Sequence, residues 1–302
     1  MAFIVFFLKK QTFTDRRPYN QIRRCATDPE YIPTSVGEDL TMLYRPLFWT
    51  SYWCEDWMYS SNYRAGASRI LISSASSKTA FCLAYLIGKR IRCGEINKDT
   101  KVIGLTSKKN VEFTKRLGLY NEVLDYDSFT SAHTFQGGQD DRWLYVDVAG
   151  NEKLNHQIHA HFASPYTGKL AANIVLGLTN LQPSTAATMP KKLGTKKNPF
   201  NMTNSEDADT SMSAFWPLEE LFFMPEWLDI RRHHIPVLEI ARRQNQAWKE
   251  LMEDCTGWVE LKHVYGAVGV EEAYKKLSRE GLGPDKGFIW SLWGGDTKIS
   301  KM

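Results

Sequence analysis

The sequence predicts an α/β protein, a parallel sheet flanked by helices. Three observations predict it. Short runs that are apolar on both faces recur between residues 69 and 178, as in strands covered from both sides. Helical periodicity separates them. The first run lies about thirty residues before the second, the length of one strand–helix–strand unit.

The first strand is Arg69-Ile70-Leu71-Ile72-Ser73, ending in the small residues Ser74-Ala75-Ser76-Ser77. Ala80, Leu83, Ala84, Ile87 and Ile91 then repeat at helical spacing. Lys101-Val102-Ile103-Gly104-Leu105-Thr106 is the second strand. Val111, Phe113, Thr114 and Leu117 mark a second helix closed by Gly118, and Glu122–Asp125 a third strand. Trp143–Val148 is the fourth strand and Asn173–Leu178 the fifth. Residues 182–213 are rich in Ser, Thr, Asn, Lys and Pro with almost nothing apolar, and read as a flexible insert. Beyond it lie an amphipathic helix over Ile235–Met252, a strand at Trp258–Leu261, a helix through Val270, Ala273, Tyr274 and Leu277 that Gly281 ends, and a last strand over Gly287–Trp293. The expected domains are a lead-in over 1–65, a nucleotide-binding domain over 66–181 and 214–296, and the insert 182–213.

Composition narrows the class. With 302 residues, 43% hydrophobic and 13% aromatic, the chain has the surface to bury and is neither disordered nor fibrous. Lys and Arg exceed Asp and Glu by only four charges, so nothing suggests the basic stripe of a nucleic-acid binder. Five cysteines form no CxxC pair and no even framework, which reads as a reducing, cytoplasmic setting in which Cys82 and Cys93 act as small hydrophobes. The opening MAFIVFFLKK has an apolar run of seven, against the roughly twenty of a membrane span, and its lysines follow the run where a secretory signal has them before it. It reads as a buried strand or an N-terminal extension, with no membrane partner.

Candidate chemistry concentrates at two strand ends. A nucleotide-binding strand–turn–helix needs small residues at its turn, so that the backbone can approach a pyrophosphate at the helix N-terminus. The turn Ser74-Ala75-Ser76-Ser77-Lys78-Thr79 has small residues, hydroxyls and a lysine, but no glycine. It reads equally as a Ser-rich helix cap. The second strand ends in Thr106-Ser107-Lys108-Lys109-Asn110, with no acid to grip ribose hydroxyls; this suits a 2′-phosphate, and so NADP(H) over NAD(H), and it reads equally as a solvated basic turn. His156, His159 and His161 lack a Cys or carboxylate at ligand spacing and read as a polar loop, with no metal expected. Trp49, Trp53 and Trp57, four apart, read as a buried helix face, the adjoining Glu55-Asp56 as its polar edge, and His233-His234 as a solvated basic helix start.

These residues also carry a resemblance. ILISSASSKTAFCLAYLIGKR, VIGLTSKKNVEFTKRLGLYNEVLDYDSF and LYVDVAG resemble the nucleotide-binding half of the medium-chain dehydrogenase/reductase superfamily. More narrowly they are similar to an uncharacterised microbial family within it that carries the SSASSKTA turn. YNQIRRC, MLYRPLFWTSYWCEDW and the closing VEEAYKKLSREGLGPDKGFIWSLW match the same pattern. The resemblance implies a Rossmann-like sheet and a zinc-free, quinone-oxidoreductase-like enzyme using NADP(H) on a small-molecule substrate, an activated carbonyl or alkene. It implies Ser74, Ala75, Ser76, Ser77, Lys78 and Thr79 at the pyrophosphate, and Thr106, Ser107, Lys108 and Asn110 around the adenosine ribose. It implies Tyr126 near the adenine, Thr50 facing the nicotinamide, and Asp147 with Gly150 beneath the cofactor. No catalytic acid is implied.

Two departures stand out. Thr79 occupies the place of the turn's last glycine. Only sixty-eight residues precede the first strand, where the superfamily has a GroES-like substrate domain, so a residual N-terminal segment is expected in its place. The alternative reading is a non-catalytic cofactor-binding or partner module, whose uncovered face would favour a homo-oligomer. A binder of some other phosphorylated ligand is a third.

Overall fold

The computed structural model describes residues 24–28, 30–60, 67–136, 138, 140–176, 217 and 219–294. The apolar run at the N-terminus and the insert 182–213 lie outside them. The chain divides into two compact units, Ser51–Phe223 and a discontinuous one formed by Met1–Thr50 with Met224–Met302. The division falls inside the long first helix and before residue 224, not at 65 and 214. The closing helix and strand therefore group with the N-terminal residues and not with the sheet, because their strand pairing and packing are made there.

In the unit Ser51–Phe223, β1 (Arg69–Ile72), β2 (Lys101–Thr106), β3 (Glu122–Asp125), β4 (Arg142–Asp147), β5 (Lys169–Val175) and β6 (Glu219–Leu221) form one sheet in the order β3-β2-β1-β4-β5-β6. Every pairing is parallel. This is the expected Rossmann-like sheet, and its strand order reverses direction between β1 and β4. The fifth strand begins four residues earlier than the apolar run suggested, and β6, only three residues long, gives no apolar signal at all.

Burial explains why both faces of the strands are apolar. Leu71, Ile103, Leu105, Trp143 and Tyr145 pack one face against Phe129, Phe135, and Leu154 and Ile158 of α4 (Glu152–Phe162). Phe135 lies 4.7 Å from Trp143, ring to ring. Residues Ala80 to Ile87 of α2 (Lys78–Arg92) are buried without a break, so this helix is enclosed. After β2 the short α3 (Val111–Arg116) follows, and Gly118, at φ +67°, ends that turn as its sequence position implied.

Gly104 has the strictest role in the sheet. A Cβ added to it would stand 2.8 Å from the Ala75 Cβ and 3.0 Å from Tyr120 Cδ1. The backbone of β2 thus approaches the first turn as only glycine allows.

The first helix, α1 (Ser35–Tyr59), corrects two expectations. Trp53 is buried, while Trp49 and Trp57 are half-buried, so the tryptophan spacing marks the inward face only in part. Glu55 is not on a polar edge. It is 5% exposed and ion-paired with Arg90 of α2, which supplies the counter-charge that a buried carboxylate requires. Cys93 is exposed, just past the end of α2, and does not pack as a hydrophobe.

In the discontinuous unit, α5 (Met224–His234) and α6 (Val237–Asp254) are followed by β7 (Glu260–Tyr265), α7 (Ala267–Glu280) and β8 (Lys286–Ser291). His233 and His234 lie in the last turn of α5 and not at a helix start, where cations oppose the C-terminal dipole. β7 and β8 form their own two-stranded parallel sheet. His263 Nε2 lies 2.7 Å from Asp39 Oδ2, and Trp248 packs against Phe48 at 5.7 Å. Arg45 pairs with Asp28 and Glu30.

Replacing Gly104 by Val should lower stability by about 1–3 kcal/mol, the usual cost of overpacking. Urea denaturation checks it; an unchanged midpoint would mean that Ala75 and Tyr120 yield freely.

Candidate functional site at the strand reversal

Ser73 leaves β1 next to the end of β4, where the strand order reverses. Its hydroxyl donates to Asp147 Oδ1 at 2.8 Å and accepts the Val148 and Ala149 N–H groups at 2.9 and 3.0 Å. Asp147 is 1% exposed. Oδ1 also accepts from the Ala149 and Gly150 N–H groups, both at 3.0 Å, and Oδ2 from Asn155 Nδ2 at 2.8 Å. Asn155 in turn accepts from the Tyr145 hydroxyl at 2.7 Å. Asp147 and Gly150 are thus brought to the site, but as the bracket between two strand ends. Burial, with the Asp147 charge adding to it, pushes the Tyr145 phenol well up, so it stays a donor.

The turn that follows contains no glycine. Ser74 takes φ +51°, a left-handed conformation that costs a non-glycine residue roughly 1–2 kcal/mol. Its N–H donates to the Tyr126 hydroxyl at 3.1 Å and its carbonyl accepts from Ser77 N at 2.7 Å. The Tyr120 hydroxyl donates to the Ala75 carbonyl at 2.9 Å, and Ala75 N donates to Leu105 O at 2.8 Å. Tyr126 therefore meets the backbone of the turn. Burial raises its pKa to about 12.

Ser77 caps α2, its hydroxyl accepting the Ala80 N–H at 3.4 Å. Lys78 and Thr79 are half-buried in the first turn of α2, and the Thr79 carbonyl accepts from the Ser51 hydroxyl at 2.8 Å. The close approach that a glycine at position 79 would provide comes instead from Ala75 against Gly104.

Ser76 differs from its neighbours. Its hydroxyl accepts from Thr106 Oγ1 at 3.0 Å and from Asn110 Nδ2 at 3.1 Å. With both acceptor positions used, its own proton is left to donate. Among the described residues no acceptor takes that proton, nor the backbone N–H of Ser76 or Thr79. Three donors thus lie within residues 76–79, at the start of a fifteen-residue helix.

At the end of β2, Lys108 is exposed and Ser107 half-buried beside it. Register places Asp125 of β3 beside Thr106. That carboxylate is occupied locally by the Ser128 hydroxyl at 2.6 Å and the N–H groups of Asp127 and Ser128. The Ser128 hydrogen bond, chiefly, holds it below the ordinary Asp range; nearby Lys108 adds to the effect. Thr50 belongs to the other unit, with its hydroxyl on the Pro46 carbonyl at 3.2 Å.

The histidines of α4 do not form a common centre. His159 is buried with Nε2 3.0 Å from Asn173 Nδ2, His156 is exposed, and His161 packs against Phe135. Among the described residues no group of three His, Cys, Asp or Glu is placed to hold a metal ion. Nor is any described helix long and apolar enough to cross a membrane. Sequence reasoning missed Ser73, Gly104, Tyr120 and Asn155. Only Gly104 left a signal, a glycine inside an apolar strand.

The fold defines a Rossmann-like α/β protein. Residues 8–282 match the family described as "Protein of unknown function (DUF2855)", and the chain belongs to that family. No curated protein matches the sequence. Among solved structures, the chain is similar to E. coli K-12 YhdH with bound NADPH, at 13% identity and TM-score 0.47, covering 87% of this chain and 66% of that one. It is also similar to the yhdH oxidoreductase of Salmonella enterica in complex with NADP, at 11% and 0.44, covering 80% and 60%. CurA from Vibrio vulnificus in complex with NADPH matches at 13% and 0.45, covering 80% and 61%. The chain thus spans less than two thirds of the length of each of these structures.

Asp147→Ala should cost about 3 kcal/mol, since it strands several buried donors at once. Denaturant unfolding checks it; a loss under 1 kcal/mol would show that water replaces the carboxylate. Burial first, and His156 second, hold His159 below its ordinary value of 6.5 against the opposing pull of Asp147; burial does the same to His161. The unfolded chain therefore binds protons that the folded one refuses, so stability falls as pH drops below about 6.5. His159→Gln should flatten that slope between pH 7 and 5, measured by thermal melts.

Proposed function

We propose that this chain binds NADP(H) at the turn between β1 and α2, and acts as a zinc-free oxidoreductase of the medium-chain type on an activated carbonyl or alkene. The observation that carries the reading is that the Ser76 hydroxyl and the Ser76 and Thr79 N–H groups, all at the start of α2, have no acceptor among the described residues. Those donors fit a pyrophosphate oxygen. The acid-free stretch Thr106–Asn110, with Lys108 exposed, supports a 2′-phosphate, and the saturation of Asp125 by its own loop removes the nearest competitor for ribose hydroxyls.

Bound NADPH would supply the hydride, as the cofactor does in such enzymes. The chain's part is to hold the dinucleotide. Ser76 donates to the pyrophosphate, Thr106 and Asn110 fix the Ser76 hydroxyl so that its proton points outward, and the Asp147 bracket keeps the turn in place.

The second reading is a cofactor-binding or partner module without turnover. It is favoured by the Thr50 hydroxyl, which is spent on its own helix and not offered to a nicotinamide. NADPH oxidation against quinones, enals and enones separates the two, since any turnover removes the module reading.

NADPH at a hundred times its Kd should stabilise the fold by about 2.7 kcal/mol, read as a higher melting midpoint. No shift with millimolar NADPH or NADH would sink both readings. Ser76→Ala should weaken NADPH roughly tenfold, with a modest loss of stability because Thr106 and Asn110 lose their acceptor. Lys108→Glu should weaken NADPH more than NADH, and an equal loss of both would overturn the 2′-phosphate assignment.

A further inference from the structure

The opposite edge of the sheet, where β1, β2 and β3 begin, holds a cleft of about 560 Å³. It lies at the other end of the strands from the turn at Ser74–Thr79. Arg69, Lys101, Asn121, Glu122, His133 and Asp141 contribute to its wall. From these groups we infer a second binding site, one that takes a small oxyanion, a carboxylate or phosphate group.

Three features carry the inference. First, Arg69 and Lys101 are in-register partners on adjacent parallel strands, so their side chains share a face. Like charges set directly opposite in a sheet repel, and an anion between them would remove that repulsion. Second, the Arg69 Nε is buried and has no hydrogen-bond acceptor. Asp141 Oδ2 lies 3.3 Å away and balances the charge, but without the geometry of a hydrogen bond. A buried donor without an acceptor is costly, and an oxyanion in the cleft provides one. Third, both acids in the wall have other donors. Glu122 accepts from the Thr134 hydroxyl, and Asp141 Oδ1 from the Ser68 hydroxyl at 3.2 Å. Asn121 uses its oxygen on the Val102 N–H at 2.7 Å, which leaves its NH₂ as a further donor.

What the cleft offers is therefore donors: the Arg69 guanidinium, the Lys101 ammonium and the Asn121 amide. Arg69 matches the planar, two-oxygen geometry of a carboxylate or phosphate, and Lys101 adds a point charge. The two carboxylates in the wall offset much of the positive charge, so binding should be in the millimolar range and weaken with salt.

The test uses the full chain with inorganic phosphate and with citrate, in separate titrations followed by calorimetry and by the melting midpoint. The expected result is saturable binding of at least one of them, with a midpoint rise of roughly 3 °C at saturation. Preference for phosphate or citrate identifies which oxyanion class the cleft takes. Arg69→Gln should lower the affinity roughly tenfold or more. Lys101→Gln, at an exposed position that folding tolerates, should lower it as well. Lys153→Gln, exposed on α4 and outside the cleft wall, should leave it unchanged. Absence of saturable binding of both anions overturns the inference, and so does binding that Lys101→Gln leaves intact or Lys153→Gln abolishes. Anion taken up at the turn before α2 is told apart by Ser76→Ala, which removes binding there and keeps it in this cleft, so failure of this inference and failure of the NADP(H) reading are distinguishable.

Discussion

The contact on which the rest of the first unit depends is the hydrogen bond from Ser73 to Asp147. It joins the ends of two parallel strands where the sheet reverses its order. A carboxylate buried there without partners would be too costly to keep. This one accepts from a hydroxyl, a side-chain amide and two backbone N–H groups, and so becomes a fixed corner. The path of the chain after β1 and after β4 is set by the same two oxygens.

From that corner the glycine-free turn becomes intelligible. A serine in a left-handed conformation is strained, and something must hold it there. Tyr126 takes its N–H, Ser77 takes its carbonyl, and Tyr120 secures the next residue. Gly104 lets the turn sink against β2. The usual motif places its glycines in the turn itself. Here one glycine sits on the neighbouring strand and two phenols do the remainder, which leaves Ser76 as the residue with donors to spare.

How much of this could be read in the sequence follows from how local each signal was. The first five strands, the enclosed α2 and the stop at Gly118 were legible because each rests on an apolar run or on one residue's backbone freedom. β6 was not, because Glu219–Leu221 carries no pattern and is a strand only by pairing with β5. The separate pairing of β7 with β8 was equally hidden, since apolar runs do not name their partners. At the site, the serines and the acid-free strand end were visible, but the division of labour among them was not. Ser73 looks like any other serine in SSASS until Asp147, 74 residues on, is seen beside it. Glu55 and Asp56 are neighbours in the sequence, and only the distant Arg90 explains why the first is buried.

The discontinuous unit has a consequence for how the protein is made. The contact between Asp39 and His263 spans 224 positions of the chain. At a synthesis rate of about 10 residues per second, Asp39 leaves the ribosome roughly twenty seconds before its partner. Residues 51–223 are contiguous and emerge within that interval, so the sheet can fold while the chain is still growing. The N-terminal half of α1 must wait, with the apolar side chains of Tyr44 and Phe48 uncovered until Trp258 and Trp248 arrive. During that wait the nascent chain carries a sticky helix and a finished sheet together, which makes the order of synthesis itself a hazard for aggregation.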